Sequence, residues 1–112
     1  MKTKVTETYN TVVVELKGDV MGGPKTEEFS QMLHGFIEEK KTNVIVDLGN
    51  VKFMNSSGLG MLIAGLTTMR KAEGDLRICR ADKRIESLLV VTKLITVFQH
   101  FKTLDEAVAS YS

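Results

Sequence analysis

The chain has 112 residues, with 15 basic and 14 acidic side chains and a formal net charge of +1. That length fits one domain burying roughly 65% of its unfolded surface. The charge balance excludes a global electrostatic case for nucleic acid or an anionic membrane, and the single cysteine, Cys79, excludes an intrachain disulfide and a multi-cysteine zinc site.

No apolar stretch approaches membrane-spanning length, and Met1-Lys2-Thr3-Lys4 leads straight into a strand pattern, so a cytoplasmic protein is expected. Val5 to Thr8 reads as a weak strand, Tyr9-Asn10-Thr11 as a tight connection, and Val12 to Leu16 as a second strand. So short a connection predicts an antiparallel hairpin. Gly18-Asp19-Val20-Met21-Gly22-Gly23 reads as a loop. Pro24 suits the first helical position, and Glu27 and Glu28 suit the positive end of the helix dipole. Phe29, Met32, Leu33, Phe36 and Ile37 fall on one helical face, and Lys40 and Lys41 sit near its C-terminus.

Val44 to Leu48 is a near-continuous apolar run of the kind found in central strands. Leu59, Leu62, Ile63, Leu66 and Met69 mark the buried stripe of a second helix. Leu76 to Arg80 reads as a strand that buries Cys79 as an inert thiol. Asp82 suits the N-cap of a third helix with Ile85, Leu88 and Leu89 inward, and Val97-Phe98 suggests a last short strand. Thr103 and Glu106 have capping-box spacing before a final helix. The order β β α β α β α β α predicts a single α/β domain over residues 1–112, with a mixed sheet of four to five strands and about four helices mainly on one face.

The most informative segment is Asp47-Leu48-Gly49-Asn50-Val51-Lys52-Phe53-Met54-Asn55-Ser56-Ser57-Gly58-Leu59-Gly60. It reads as a buried strand, a short turn and a helix start that carries two serines. Free backbone N–H groups and the dipole favour an anion there, so a phosphate added to a serine would be accommodated locally. Two serines at a helix start are, by themselves, adequately explained as caps; the full motif in its strand–turn–helix setting favours a functional reading. Gly58-Leu59-Gly60 lacks the fuller glycine-rich loop and the Lys-Ser/Thr ending of a nucleotide site, so close backbone packing explains it better.

The segment resembles the signature of the anti-sigma-factor antagonists that typify the STAS domain, and the order of flanking elements agrees with that family over nearly the whole chain. The resemblance implies a non-enzymatic regulator of the STAS fold. It further implies that an anti-sigma factor with serine kinase activity phosphorylates the second serine of the turn, Ser57, with Ser56 as second choice. The unmodified protein would bind that kinase and release sigma factor, and a metal-dependent serine phosphatase would reverse the modification. The family's commonest residue before the serines is Asp, and here it is Asn55. Asn keeps the capping acceptor but removes a charge, which either makes the turn less repulsive to phosphate or removes a determinant the kinase reads.

The implied partner surface comprises Asp19, Met21 and Gly22 from the loop before the first helix, with Met54, Asn55, Ser56, Ser57, Gly58 and Met61 around the turn. For Met54 and Met61, core filling is the alternative. No cofactor or metal is expected, because His34 and His100 lack carboxylate or cysteine neighbours at ligand spacing. Arg77, Arg80, Lys83 and Arg84 read as solvated charge, diluted by Asp75, Asp82 and Glu86. Two other functions compete: a STAS scaffold or transporter-associated domain that is never phosphorylated, and a small hydrolase using Ser57. The hydrolase is disfavoured because no nucleophile-elbow sequence surrounds that serine.

Overall fold

A computed structural model describes residues 1–8 and 10–112; Tyr9, part of the expected tight connection, lies outside the described residues. The elements are β1 (Lys2–Glu7), β2 (Val12–Val20), α1 (Pro24–Glu38), β3 (Asn43–Met54), α2 (Ser56–Lys71), β4 (Asp75–Cys79), α3 (Lys83–Val91), β5 (His100–Phe101) and α4 (Leu104–Ala109). The sheet order is β1-β2-β3-β4-β5, with β1 antiparallel to β2 and the remaining neighbours parallel. This is the expected mixed sheet.

A strand order that advances one place at a time, with crossovers of one hand, puts every crossover helix on the same face. Accordingly α1, α2 and α3 share one core with alternate strand residues Val12, Val14, Leu16, Val44, Val46, Leu48, Leu76 and Ile78. The chain continues past β5, where no crossover constrains it. There α4 covers the opposite face with Ala107 and Val108 against Val13, Ile45 and Cys79. Arg77 and Tyr111 hold it down. The Arg77 guanidinium lies 4.0 Å over the Tyr111 ring and donates to the Ser110 carbonyl at 2.7 Å. The Tyr111 hydroxyl donates to the Val44 carbonyl at 2.8 Å.

Several boundaries differ from those expected. β1 begins at Lys2 rather than Val5. β2 continues through Gly18, Asp19 and Val20, so Asp19 belongs to a strand and not to a loop. β3 likewise continues to Met54 in place of the short turn. These two overruns pair with each other, with register shifts between Glu15 and Lys17 and between Gly18 and Asp19. The irregular ladder obscures the period-2 pattern from which a strand is read. Val97 and Phe98 lie in a turn and the last strand is His100–Phe101; Phe98 is apolar because it fills the main core.

Lys40 and Lys41 fall beyond the end of α1. Lys40 has φ 61°, and the amides of Lys40 and Lys41 close back onto the carbonyls of Ile37 and Phe36. This Schellman closure recurs after α2 at Glu73 (φ 64°) and after α3 at Lys93 (φ 63°). Helix starts follow the sequence signals. Pro24 opens α1, Asp82 Oδ1 accepts from the Ile85 amide at 2.9 Å, and Thr103 Oγ1 accepts from the Glu106 amide at 3.1 Å.

Arg77 and Arg80 were expected as solvated charge and are instead engaged. Arg80 donates from Nε and Nη2 to the two carboxylate oxygens of buried Asp47, at 2.8 and 3.1 Å. Asp47 Oδ1 also accepts from the Gly49 amide at 3.0 Å. The pair ties β3 to the residue after β4 where β4 ends. No helix among the described residues is long and apolar enough to cross a membrane.

Two expectations follow. A left-handed conformation costs an L-residue about 1–2 kcal/mol, and glycine returns about 0.5–1 of that as entropy lost on folding. Lys93→Gly should therefore raise the free energy of unfolding by about 0.5–1 kcal/mol in a urea titration. Burial and then the Asp47 carboxylate push the Cys79 thiol up to about 12 from its ordinary 9.0. The thiol is therefore neutral in the fold, and the stability this contributes is complete below pH 9.0 and lost as pH rises towards about 12. Iodoacetamide should modify native Cys79 far more slowly than the urea-unfolded chain at every pH up to about 10.

Candidate functional site

The segment carrying the two serines stands where the overruns of β2 and β3 end. Asn55 is the N-cap of α2, and its Oδ1 accepts from the Gly58 amide at 2.8 Å. Its carbonyl accepts from the Leu59 amide at 3.0 Å. Asn55 therefore does the capping, and Ser56 and Ser57 are the first two helical residues. Both serines are exposed. In an α-helix the first amides have no intrahelical partner. Here the third is taken by Asn55, which leaves those of Ser56 and Ser57 towards an incoming anion.

Two glycines fix the backbone of this turn. Gly58 is buried against the end of β2, and a Cβ there would collide with the Val20 carbonyl oxygen. The same oxygen accepts from the Asn55 amide at 3.4 Å. Gly22 has φ +75°, and a Cβ on it would stand 2.9 Å from the Ser57 carbonyl oxygen. The loop after β2 therefore lies directly on the Ser57 main chain. Both contacts are close backbone packing, which the Gly58-Leu59-Gly60 motif predicts for Gly58 and not for Gly22. Gly60 is different: it is exposed, with nothing within 4 Å of a Cβ.

The structure thus brings Met21, Gly22, Asn55, Ser56 and Ser57 together, with Asp19 exposed on the adjoining strand end. It does not bring the two methionines to the surface. Met54 and Met61 are buried in the main core, so their expected docking role is corrected to packing, with only an edge of Met54 reaching the surface groove beside α3. Met61 belongs to a buried face of α2 that also includes Leu62 and Gly65, where a Cβ would strike Phe29 and Leu33 of α1. Gly58 contributes through its missing side chain rather than through an exposed surface. Sequence reasoning missed Phe53, which is 48% exposed beside the turn. Its position in an overrunning strand was the signal, and reading that stretch as a turn hid it.

The arrangement offers a hydroxyl on a capped, closely packed and solvent-facing helix start. Among the described residues no side-chain base hydrogen-bonds the Ser57 hydroxyl, and the side-chain bond at the turn is that of Asn55 with the Gly58 amide. The STAS domain family model matches residues 2–107. BtrV of Bordetella bronchiseptica, named as a candidate anti-sigma factor antagonist, is 19% identical over 111 residues, covering 99% of this chain and 95% of that protein. The crystal structure of TM1081 from Thermotoga maritima, another candidate antagonist, superposes with a TM-score of 0.86 at 15% identity, covering 96% of this chain and 92% of that one. The phosphorylated form of the Bacillus cell-fate determinant SpoIIAA gives 0.76 at 18% identity, covering 99% and 100%.

The two glycines of the motif should respond oppositely to the same change. Gly58→Ala should destabilise the fold by about 2–3 kcal/mol through the clash with Val20. Gly60→Ala should stabilise it by about 0.5–1 kcal/mol, as alanine does at open helical positions. Paired denaturant titrations read both.

Proposed function

The chain belongs to the STAS domain family, and from that premise we propose that it is an anti-sigma-factor antagonist switched by phosphorylation of Ser57. Its partner is an anti-sigma factor with serine kinase activity, and a metal-dependent serine phosphatase resets it. The protein is a regulator rather than an enzyme: it presents a hydroxyl for modification and a surface for docking. One observation carries this reading. Ser57 is exposed at the start of α2 while Gly22 packs closely against its main chain, so the acceptor is accessible on a closely packed turn.

Phosphorylation adds about −1.5 to −2 charges at neutral pH. The helix start receives that charge without loss of structure, because unpaired amides and the dipole face it. A partner built against a neutral hydroxyl does not receive it, since the phosphate must be desolvated or matched on docking. A penalty on the order of 3 kcal/mol lowers affinity roughly a hundredfold. The switch then acts on the interface and leaves the fold alone. Asn55 keeps the cap in both states and, lacking the charge of Asp, sets no carboxylate beside the phosphate.

The test uses the anti-sigma kinases of the source organism, purified one at a time with ATP. Intact mass should show one added phosphate, which peptide mapping places on Ser57. Ser57→Ala should bind the same kinase as tightly as the unaltered chain, and Ser57→Asp should bind roughly a hundredfold more weakly, both with unchanged circular dichroism. Equal affinities of the two variants would overturn the switch. Binding without any phosphate transfer would favour a STAS scaffold.

A further inference from the structure

β4 ends at Cys79, opposite Asp47. From Leu48 to Met54, β3 has a sheet neighbour only on its β2 side. α3 packs beside that overrun and leaves a groove of about 350 Å³ lined by Lys52, Phe53, Met54, Arg84, Leu88 and Val91. The fold leaves large apolar side chains in water here. Val91 is 79% exposed, and its neighbour Val90 is 59% exposed. Phe53 is half-exposed on the opposite wall.

The charged side chains that line the groove are both cationic, although the chain as a whole is balanced. Lys52 and Arg84 are exposed, and among the described residues neither forms an ion pair. The acids nearby stand outside the lining: Asp82 is occupied as the cap of α3, Glu86 lies further round that helix, and Asp19 pairs with Phe53 from β2. The complement of an apolar trough with a cationic rim is an apolar segment flanked by carboxylates. The groove also stands next to the serine turn in the chain, because Met54 lines it and the next residue, Asn55, caps α2.

We propose that this groove receives an acidic, apolar segment of the same anti-sigma partner, as the second half of the docking surface whose first half is the Ser57 turn. The inference rests on the function proposed above and adds the chemistry of the partner. Two other occupants fit less well. A second copy of this chain docked symmetrically would bring one positive rim against another. A bilayer fits less well because the exposed apolar set here is small, confined to Phe53, Val90 and Val91.

The test measures binding of the purified anti-sigma kinase to four full-length proteins: the unaltered chain, Ser57→Asp, Val91→Gln, and Lys52→Glu combined with Arg84→Glu. All the substituted residues are exposed, and circular dichroism with thermal melting checks that each variant folds. Val91→Gln should weaken binding by at least about tenfold through faster dissociation. The double charge reversal should weaken it by about tenfold or more through slower association, and should flatten its dependence on salt. Val91→Gln and the charge reversal binding like the unaltered chain, with Ser57→Asp still impaired, would overturn this inference and leave the proposed function standing. No binding by the unaltered chain would overturn both. Self-association in sedimentation velocity that Val91→Gln abolishes would assign the groove to a second copy. Flotation with vesicles containing anionic phospholipid, lost on charge reversal, would assign it to a membrane; either result overturns the proposal.

Discussion

The meeting of the Val20 carbonyl with the first turn of α2 is the constraint on which the rest of the structure depends. It joins the end of β2 to the start of α2 with no side chain between them, which only glycine at position 58 permits. Once that contact is made, the Asn55 amide and the Asn55 side chain fall into place as hydrogen-bonding partners of Val20 and Gly58. Gly22 then closes over Ser57 from the other side. Ser57 is exposed while its carbonyl stands against Gly22. A loop of ordinary mobility would carry a serine to solvent as readily, but would hold it in no defined orientation towards a partner.

The sheet supplies the platform. Parallel strands in monotonic order send α1, α2 and α3 to one face and leave their connecting turns at the ends of the strands, where open α/β sheets place their sites. The overruns of β2 and β3 carry the serine turn clear of the neighbouring strand β4. The price of that extension is a stretch of β3 without β4, and the buried Asp47 held by Arg80 stands at the point where it begins. Removing one member of such a pair leaves a buried polar group unsatisfied, so the pair is a clasp on the extended strand. The same overrun opens the groove beside α3, so the serine turn and the groove share one origin.

Legibility in the sequence varied with how local the determining forces are. The helix caps Asp82 and Thr103, the proline at the start of α1 and the apolar stripes of α1 and α2 were readable, because each reports on residues within a turn or two of itself. The ends of β2 and β3 were not. Gly18, Asp19, Gly49 and Asn50 have turn composition, yet they lie within β2 and β3, whose ladder continues past them through shifts of register, with Gly18 at φ +85°. Met54 and Met61 were ambiguous for a related reason: methionine suits both core and interface, and only the neighbouring elements decide.

By itself the sequence determined the element order, the mixed α/β architecture and the presence of two serines at a helix start, because hydrophobic period and capping chemistry act over short separations. Tertiary structure alone decided that Gly22 and Val20 clamp the turn, and that Phe53 and Val91 line one groove with Lys52 and Arg84. Those outcomes arise from contacts between segments far apart in the chain, whose register is set only when strands pair and helices pack.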